Sequence, residues 1–329
     1  MDRRTFIARA ASSVLALPFG ALAQPSDRVW RIGFFYFGTR QSSLDTGRYN
    51  AFVQGMRELG YFEGKNLVID ARFGDGKIDR LTLMATELVQ SNVDAIVATG
   101  SPVYSALRFA TTSIPIVVTV TTDPVIEGLA ASLARPGGNF TGLTDTAADL
   151  GAKWLELLRA AVPQLSRLGV VLNPDNVSHP TQMTRLMLPA QKIGVQVVLA
   201  EAGTVADIES AMRALSHERA SAVVLFGDTF FVQQLPQIAQ AALKYRLASM
   251  YLIHDYAKAG GLMSYGPDVV DNFRHAATFV DRVLKGAKTT DLPFEQPTRY
   301  VFAINLNTAK TLGLTIPQSL LARADEIVQ

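Results

Sequence analysis

The chain has 329 residues, of which 48% are apolar and 18% charged, with a formal net charge of +2 and no cysteine. That length suggests about two domains of roughly 150 residues each. The missing cysteines exclude disulfides, thiolate metal sites, cysteine nucleophiles and a lipoprotein anchor.

The first 23 residues read as a secretory leader. Residues 1–9 carry Arg3, Arg4 and Arg9, residues 10–20 form a short apolar run, and Ala21-Leu22-Ala23 is an A-x-A cleavage site before Gln24-Pro25. Asp2-Arg3-Arg4-Thr5-Phe6-Ile7 is similar to the twin-arginine export motif, with Asp2 and Ala8 departing from it; a general secretory signal is the alternative. Cleavage after Ala23 removes three Arg and one Asp from 31 basic and 29 acidic residues, leaving 28 of each. A neutral mature chain gives no support for nucleic-acid binding. No later stretch approaches about 18 uninterrupted apolar residues, so a soluble, exported, periplasmic protein is expected.

After an exposed tether at 24–28, residues 30–37 (WRIGFFYF) predict a buried first strand. Residues 44–60 predict a helix with Phe52, Met56 and Leu59 on one face and Gly60 as its stop. A strand at 67–73, a helix at 78–90 and a strand at 93–98 follow. Phe73-Gly74-Asp75-Gly76-Lys77 lacks the length and hydroxyl of a phosphate loop and reads as a turn. Ala95–Thr99 and Ile116–Thr121 are short apolar runs rich in β-branched residues, as in parallel strands covered on both faces. Thr99-Gly100-Ser101-Pro102 then supplies a flexible turn, an N-cap hydroxyl and proline at the first helical position, and Thr121-Thr122-Asp123-Pro124 repeats that pattern, so a helix is expected after each. The alternation β-α-β-α-β-α-β predicts a parallel sheet with right-handed crossovers.

At Arg135-Pro136-Gly137-Gly138-Asn139 the pattern breaks, and 140–143 reads as an extended crossing. A second alternation follows: helices at 150–162, 181–193, 205–215 and 231–245, and strands at 168–172, 195–200, 222–226 and 249–252. The end adds a strand at 261–265, a helix at 267–285 and an extended run at 299–305. The expected fold is α/β, with two similar lobes, each a parallel-sheet α/β sandwich of about four strands. Lobe 1 takes 28–142 plus 265–291, lobe 2 takes 143–264 plus 292–329, and three hinge crossings fall near 141–144, 263–266 and 292–297.

Several phrases carry a family resemblance: Leu133-Ala134-Arg135-Pro136-Gly137-Gly138-Asn139-Phe140-Thr141-Gly142, Gly260-Gly261-Leu262-Met263-Ser264-Tyr265-Gly266-Pro267-Asp268, Leu292-Pro293-Phe294-Glu295-Gln296-Pro297-Thr298, Ile304-Asn305-Leu306-Asn307-Thr308-Ala309-Lys310 and the ending 314–325. Over essentially the whole mature chain it resembles the ABC transporter substrate-binding family related to tryptophan and tyrosine uptake proteins, with the type I periplasmic binding fold. The resemblance implies capture of a small solute between the lobes and its delivery to an inner-membrane ABC permease driven by a cytoplasmic ATPase, with the ligand-bound state closed. The solute expected is an amino acid or a similar amphipathic molecule. The alternative is a sensory module that presents its solute to a membrane receptor. A monomer is expected, with no cofactor and no metal.

Candidate ligand-binding residues lie at strand ends. In lobe 1, Gly100 and Ser101 can bind a carboxylate through N–H groups and the hydroxyl, or simply cap a helix. Thr121 and Thr122 are equivalent in the next turn, where Asp123 is by default the helix cap. Tyr36, Phe37 and Thr39 end the first strand, where an aromatic ring can stack on a ligand or pack inward. In lobe 2, Asp228, followed by Thr229, is the best placed carboxylate for an α-amino group, its alternative being an N-cap. Asn173 can bind either end of an amino acid or stabilise the turn before Pro174. His254 is more often structural than a ligand, and Tyr265 can be a hinge or cleft residue. The absence of G-x-G-x-x-G, G-x-x-x-x-G-K-[ST], G-x-S-x-G and H-E-x-x-H argues against an enzyme. The four His, at 179, 217, 254 and 275, show no metal spacing.

Overall fold

A computed structural model describes residues 28–145 and 150–329. The leader, its cleavage site and the start of the tether lie outside the described residues. No helix among the described residues is long and apolar enough to cross a membrane.

The β-branched runs form two sheets. The first contains β1 (Trp30–Tyr36), β2 (Leu67–Phe73), β3 (Ala95–Thr99), β4 (Ile116–Thr121) and β5 (Phe140–Thr144), all parallel, in the order β2-β1-β3-β4-β5. Its register pairs Ile32 with Ala95 and Ile96 with Ile116. The strand order reverses between β1 and β3, and loops leaving neighbouring strands to opposite faces open a crevice there.

One face of this sheet is covered by α2 (Arg48–Glu58) and α11 (Val269–Leu284). Phe34 sits among Tyr49, Phe52 and Phe273, with ring centroids 5.1–6.2 Å apart. The other face is covered by α3 (Leu81–Gln90) and α4 (Ser101–Ala110), with Phe35, Ile96, Val103 and Leu107 buried between them. Gly55 lets α2 and α11 approach closely: a Cβ there would lie 2.5 Å from the Arg274 carbonyl oxygen.

The second sheet contains β6 (Arg167–Leu172), β7 (Gln196–Glu201), β8 (Ala222–Leu225), β9 (Ala248–Tyr251), β10 (Met263–Pro267), β11 (Tyr300–Asn305) and β12 (Glu326–Val328), in the order β12-β11-β10-β9-β8-β6-β7. From β7 to β10 it repeats the winding of the first sheet, with its reversal between β6 and β8. It is larger than the expected four or so strands, and β11 runs antiparallel to β10. The molecule is thus two α/β sandwiches with predominantly parallel sheets.

Several local expectations are corrected. The helix expected at 44–60 is divided into α1 (Arg40–Asp45) and α2 because Gly47 adopts φ 72°, in the left-handed region. The helix expected at 231–245 is divided into α8 (Thr229–Gln233) and α9 (Leu235–Lys244), with Pro236 in the first turn of α9, where its missing N–H costs nothing. No helix follows Thr121-Thr122-Asp123-Pro124; residues 124–129 form turns, closed by Leu129 N–H donating to the Pro124 carbonyl at 2.7 Å. β5 is an edge strand of the first sheet rather than a crossing, and β10 lies wholly in the second. Glu295 continues the edge of β5, its N–H donating to the Gly142 carbonyl at 2.9 Å and its carbonyl accepting from Thr144 N–H at 2.9 Å.

Candidate functional site

Both reversals of strand order open onto one cavity between the lobes. From the first sheet come Tyr36 and Phe37 at the end of β1, Gly100 and Ser101 after β3, and Thr121 and Thr122 after β4. From the second come Asp228 and Thr229 after β8 and Tyr251 at the end of β9. The cavity measures about 100 Å³. Since one water needs about 10–15 Å³, there is room for a small solute rather than a single solvent molecule.

The lobes meet around it. Gly100, with φ 105°, is the turn between β3 and α4; a Cβ there would stand 3.1 Å from both Phe37 Cβ and Thr229 Cγ2 of the facing lobe. Only glycine combines that dihedral with so close an approach. The carbonyl of Gly100 accepts from Val103 and Tyr104 N–H at 2.9 and 3.1 Å, which starts α4 with its N-terminus toward the cavity.

Asp228 both lines the cavity and caps α8. Its Oδ1 accepts from the N–H groups of Phe230 and Phe231 at 2.8 and 3.3 Å and from Asn173 Nδ2 at 3.3 Å, while Oδ2 accepts from Asn176 Nδ2 at 2.7 Å. The alternatives of cap and cavity residue are therefore both realised. Behind it, buried His179 accepts from the Asn173 N–H at Nδ1 (2.9 Å), which leaves Nε2 to donate to the Gly227 carbonyl at 3.2 Å. Burial lowers the His179 pKa, opposed in part by the Asp228 charge.

Five candidates stand outside the cavity wall. Thr39 caps α1, accepting from Ser42 N–H at 3.0 Å. Asp123 accepts from Val125 and Ile126 N–H at 3.0 Å each, holding a turn rather than a helix. Asn173 lies one layer back, as a donor to Asp228. His254 Nε2 is 3.4 Å from its neighbour Asp255. Tyr265 stacks on Tyr300 with centroids 5.8 Å apart, and its carbonyl accepts from Trp154 Nε1 at 2.7 Å. Ser101 remains in the wall, but its hydroxyl donates to the Glu127 carboxylate at 3.0 Å instead of being available to a ligand carboxylate.

The wall also contains Arg48, Glu127, Asp145, Asn176, Gln233 and Phe273, none of which sequence reasoning selected. Arg48 and Phe273 lie on helices, away from the strand ends that the sequence pattern marks. Glu127 is brought in by the turns after β4, where the sequence pattern predicts a helix. Its carboxylate accepts from Ser101 and Thr121 hydroxyls, yet burial, with the Asp145 charge adding to it, raises its pKa above the usual carboxylate range. Asp145 accepts from the Thr122 hydroxyl at 3.1 Å. Among the described residues no group of three or more His, Asp or Glu is placed to hold a metal ion.

The family described as ABC transporter substrate binding protein matches residues 41–328. The chain is 27% identical over 272 residues to a tyrosine-binding protein of Clostridioides difficile (strain R20291), covering 83% of this chain and 78% of that one. A conserved domain protein from Vibrio cholerae O1 biovar El Tor has a similar structure, with TM-score 0.84 at 30% identity over 91% of this chain and 100% of that one. An ABC domain from Streptococcus pneumoniae in complex with L-Trp also gives TM-score 0.84, at 26% identity over the same shares. The family match over residues 41–328 carries one conclusion: the chain belongs to the ABC transporter substrate-binding protein family.

Proposed function

We propose that this protein is the extracytoplasmic solute receptor of an ABC importer. It captures an amino acid or a similar amphipathic molecule by closing its two lobes, then delivers it to an inner-membrane permease driven by a cytoplasmic ATPase. The observation that carries this reading is the cavity itself: carboxylates from both lobes, Glu127 and Asp145 from one and Asp228 from the other, share it with the aromatic side chains of Tyr36, Phe37, Tyr251 and Phe273. Carboxylates suit an ammonium group and aromatic faces suit an apolar side chain. The relatives named for tyrosine and solved with L-Trp support the same ligand class. Closure stabilises the complex only as far as the ligand prefers the closed form. Export through the leader, with cleavage after Ala23, belongs to the same reading.

Native mass spectrometry of protein purified from the periplasm, followed by thermal-shift screening of free amino acids, tests it. The expected result is a co-purifying or stabilising amino acid and a mature N-terminus at Gln24. A sugar or nucleoside as the only stabilising class would overturn it.

A further inference from the structure

The N-terminus of α4 would ordinarily attract an anion. Here the protein places its own carboxylate beside it: Glu127 accepts from the hydroxyl of Ser101, the first residue of α4, at 3.0 Å and from Thr121. None of the ion pairs among the described residues includes Glu127, and its neutral donors, two hydroxyls and the Asp123 backbone, compensate a buried carboxylate incompletely. Burial, and then the nearby Asp145 charge, raise its pKa above the ordinary carboxylate value. A second observation lies in the same wall. The side chain of Arg48 is 6% exposed, its two terminal nitrogens are bonded to Tyr36 and Asp255, and its Nε is buried without a hydrogen-bond partner. The cavity thus has an acidic end short of a cation and a buried donor short of an acceptor.

We propose that Glu127 is a specificity-determining residue that converts the first lobe's anion-ready turn into a cation subsite. The solute's ammonium docks among Glu127, Asp145 and Asp228, while an acceptor on the solute, a carboxylate or hydroxyl oxygen, faces Arg48. The ligand class is therefore one whose free amine is obligatory, bound in the reverse polarity to that expected from the Gly100-Ser101 turn. This rests on the amino-acid reading above and adds a direction to it.

The test uses L-tyrosine, L-tryptophan and L-leucine, each as the free amino acid, the decarboxylated amine and the N-acetyl derivative. Calorimetric titration is run against the wild-type protein, Glu127→Gln and Glu127→Asp. For the wild type, the free amino acid that binds keeps measurable affinity as its amine, and its N-acetyl derivative loses binding. Glu127→Gln weakens the amine-bearing forms by about tenfold or more, the scale of one hydrogen bond to a charged group. Its unliganded melting temperature is unchanged or raised, because a buried charge has been removed. Glu127→Asp recovers part of the affinity. An N-acetyl derivative that binds as well as its parent, or Glu127→Gln affinity equal to wild type, overturns the cation subsite and leaves the amino-acid reading standing. No binding in any of the three sets overturns both.

Discussion

Arg48 of the first lobe donates from Nη2 to Asp255 of the second at 2.7 Å, while its Nη1 donates to the Tyr36 hydroxyl at 2.7 Å. The pair joins the lobes beside the cavity, with side chains 6% and 19% exposed.

Replacing Asp255 with Asn removes the charge from the partner that stands outside the cavity wall. Breaking a fully buried pair costs about 3–5 kcal/mol, and the partial exposure of Asp255 reduces the expected cost to roughly 1–2 kcal/mol. Because the pair spans the lobes, much of that loss falls on the closed form. Small-angle scattering of the liganded variant should show a larger radius of gyration at subsaturating ligand than the wild type. Identical titration curves for the two proteins would show that the pair has no part in closure.

A purely ligand-binding Asp228 would affect binding alone when replaced by Ala. Its geometry predicts a double effect, because two backbone N–H groups and two Asn side chains would lose their acceptor. Asp228→Ala should lower the stability of the unliganded protein by about 1–2 kcal/mol, the usual scale of a lost N-cap, and weaken binding as well. Asp228→Asn keeps a good capping residue but removes the charge and the acceptor for Asn176. It should cost less stability than Ala while still weakening amine-bearing ligands by about tenfold. Denaturant titrations of both variants, paired with calorimetry, separate the two contributions.

His179 gives a pH dependence of known sign. Its unfolded pKa is about 6.5, and burial lowers the folded value. Between those two values the unfolded chain binds more protons, so this contribution to stability is complete above pH of about 6.5 and is lost as pH falls through the folded pKa. His179→Gln should flatten the slope of stability against pH between about 7.5 and 5, measured by urea unfolding. A slope equal to wild type would assign the dependence to other groups.

Gly55→Ala tests the packing of α2 on α11. The new methyl carbon would meet the Arg274 carbonyl oxygen at 2.5 Å and Ala277 Cβ at 2.8 Å, so the helices must separate. Overpacking of this kind costs about 1–3 kcal/mol. Gly47→Ala is the informative comparison, since its Cβ meets nothing within 4 Å and only its φ of 72° is unfavourable; about 1 kcal/mol is expected there. Thermal unfolding of the two variants should rank Gly55→Ala as the more damaging.

Much of the architecture is legible in the linear pattern because parallel strands buried on both faces must be continuously apolar. The runs 95–99, 116–121 and 222–225 are therefore visible without knowledge of their neighbours. The repeated strand-to-helix turns likewise pointed to Gly100, Ser101, Thr121 and Asp228, since ligands of such sheets gather at strand ends. Local pattern could not separate the capping function of Thr39 or Asp123 from a cavity position, because the same oxygen suits both.

The chain by itself determined that there would be two wound α/β lobes, since apolar periodicity is a local property that burial enforces. Only the tertiary structure decided the chemistry of the space between them. Arg48, Glu127 and Asp255 acquire their meaning from partners far away in the chain or carried in by irregular turns. The charge balance of a buried site depends on which groups are brought within a few ångströms, and no spacing along the chain encodes that distance.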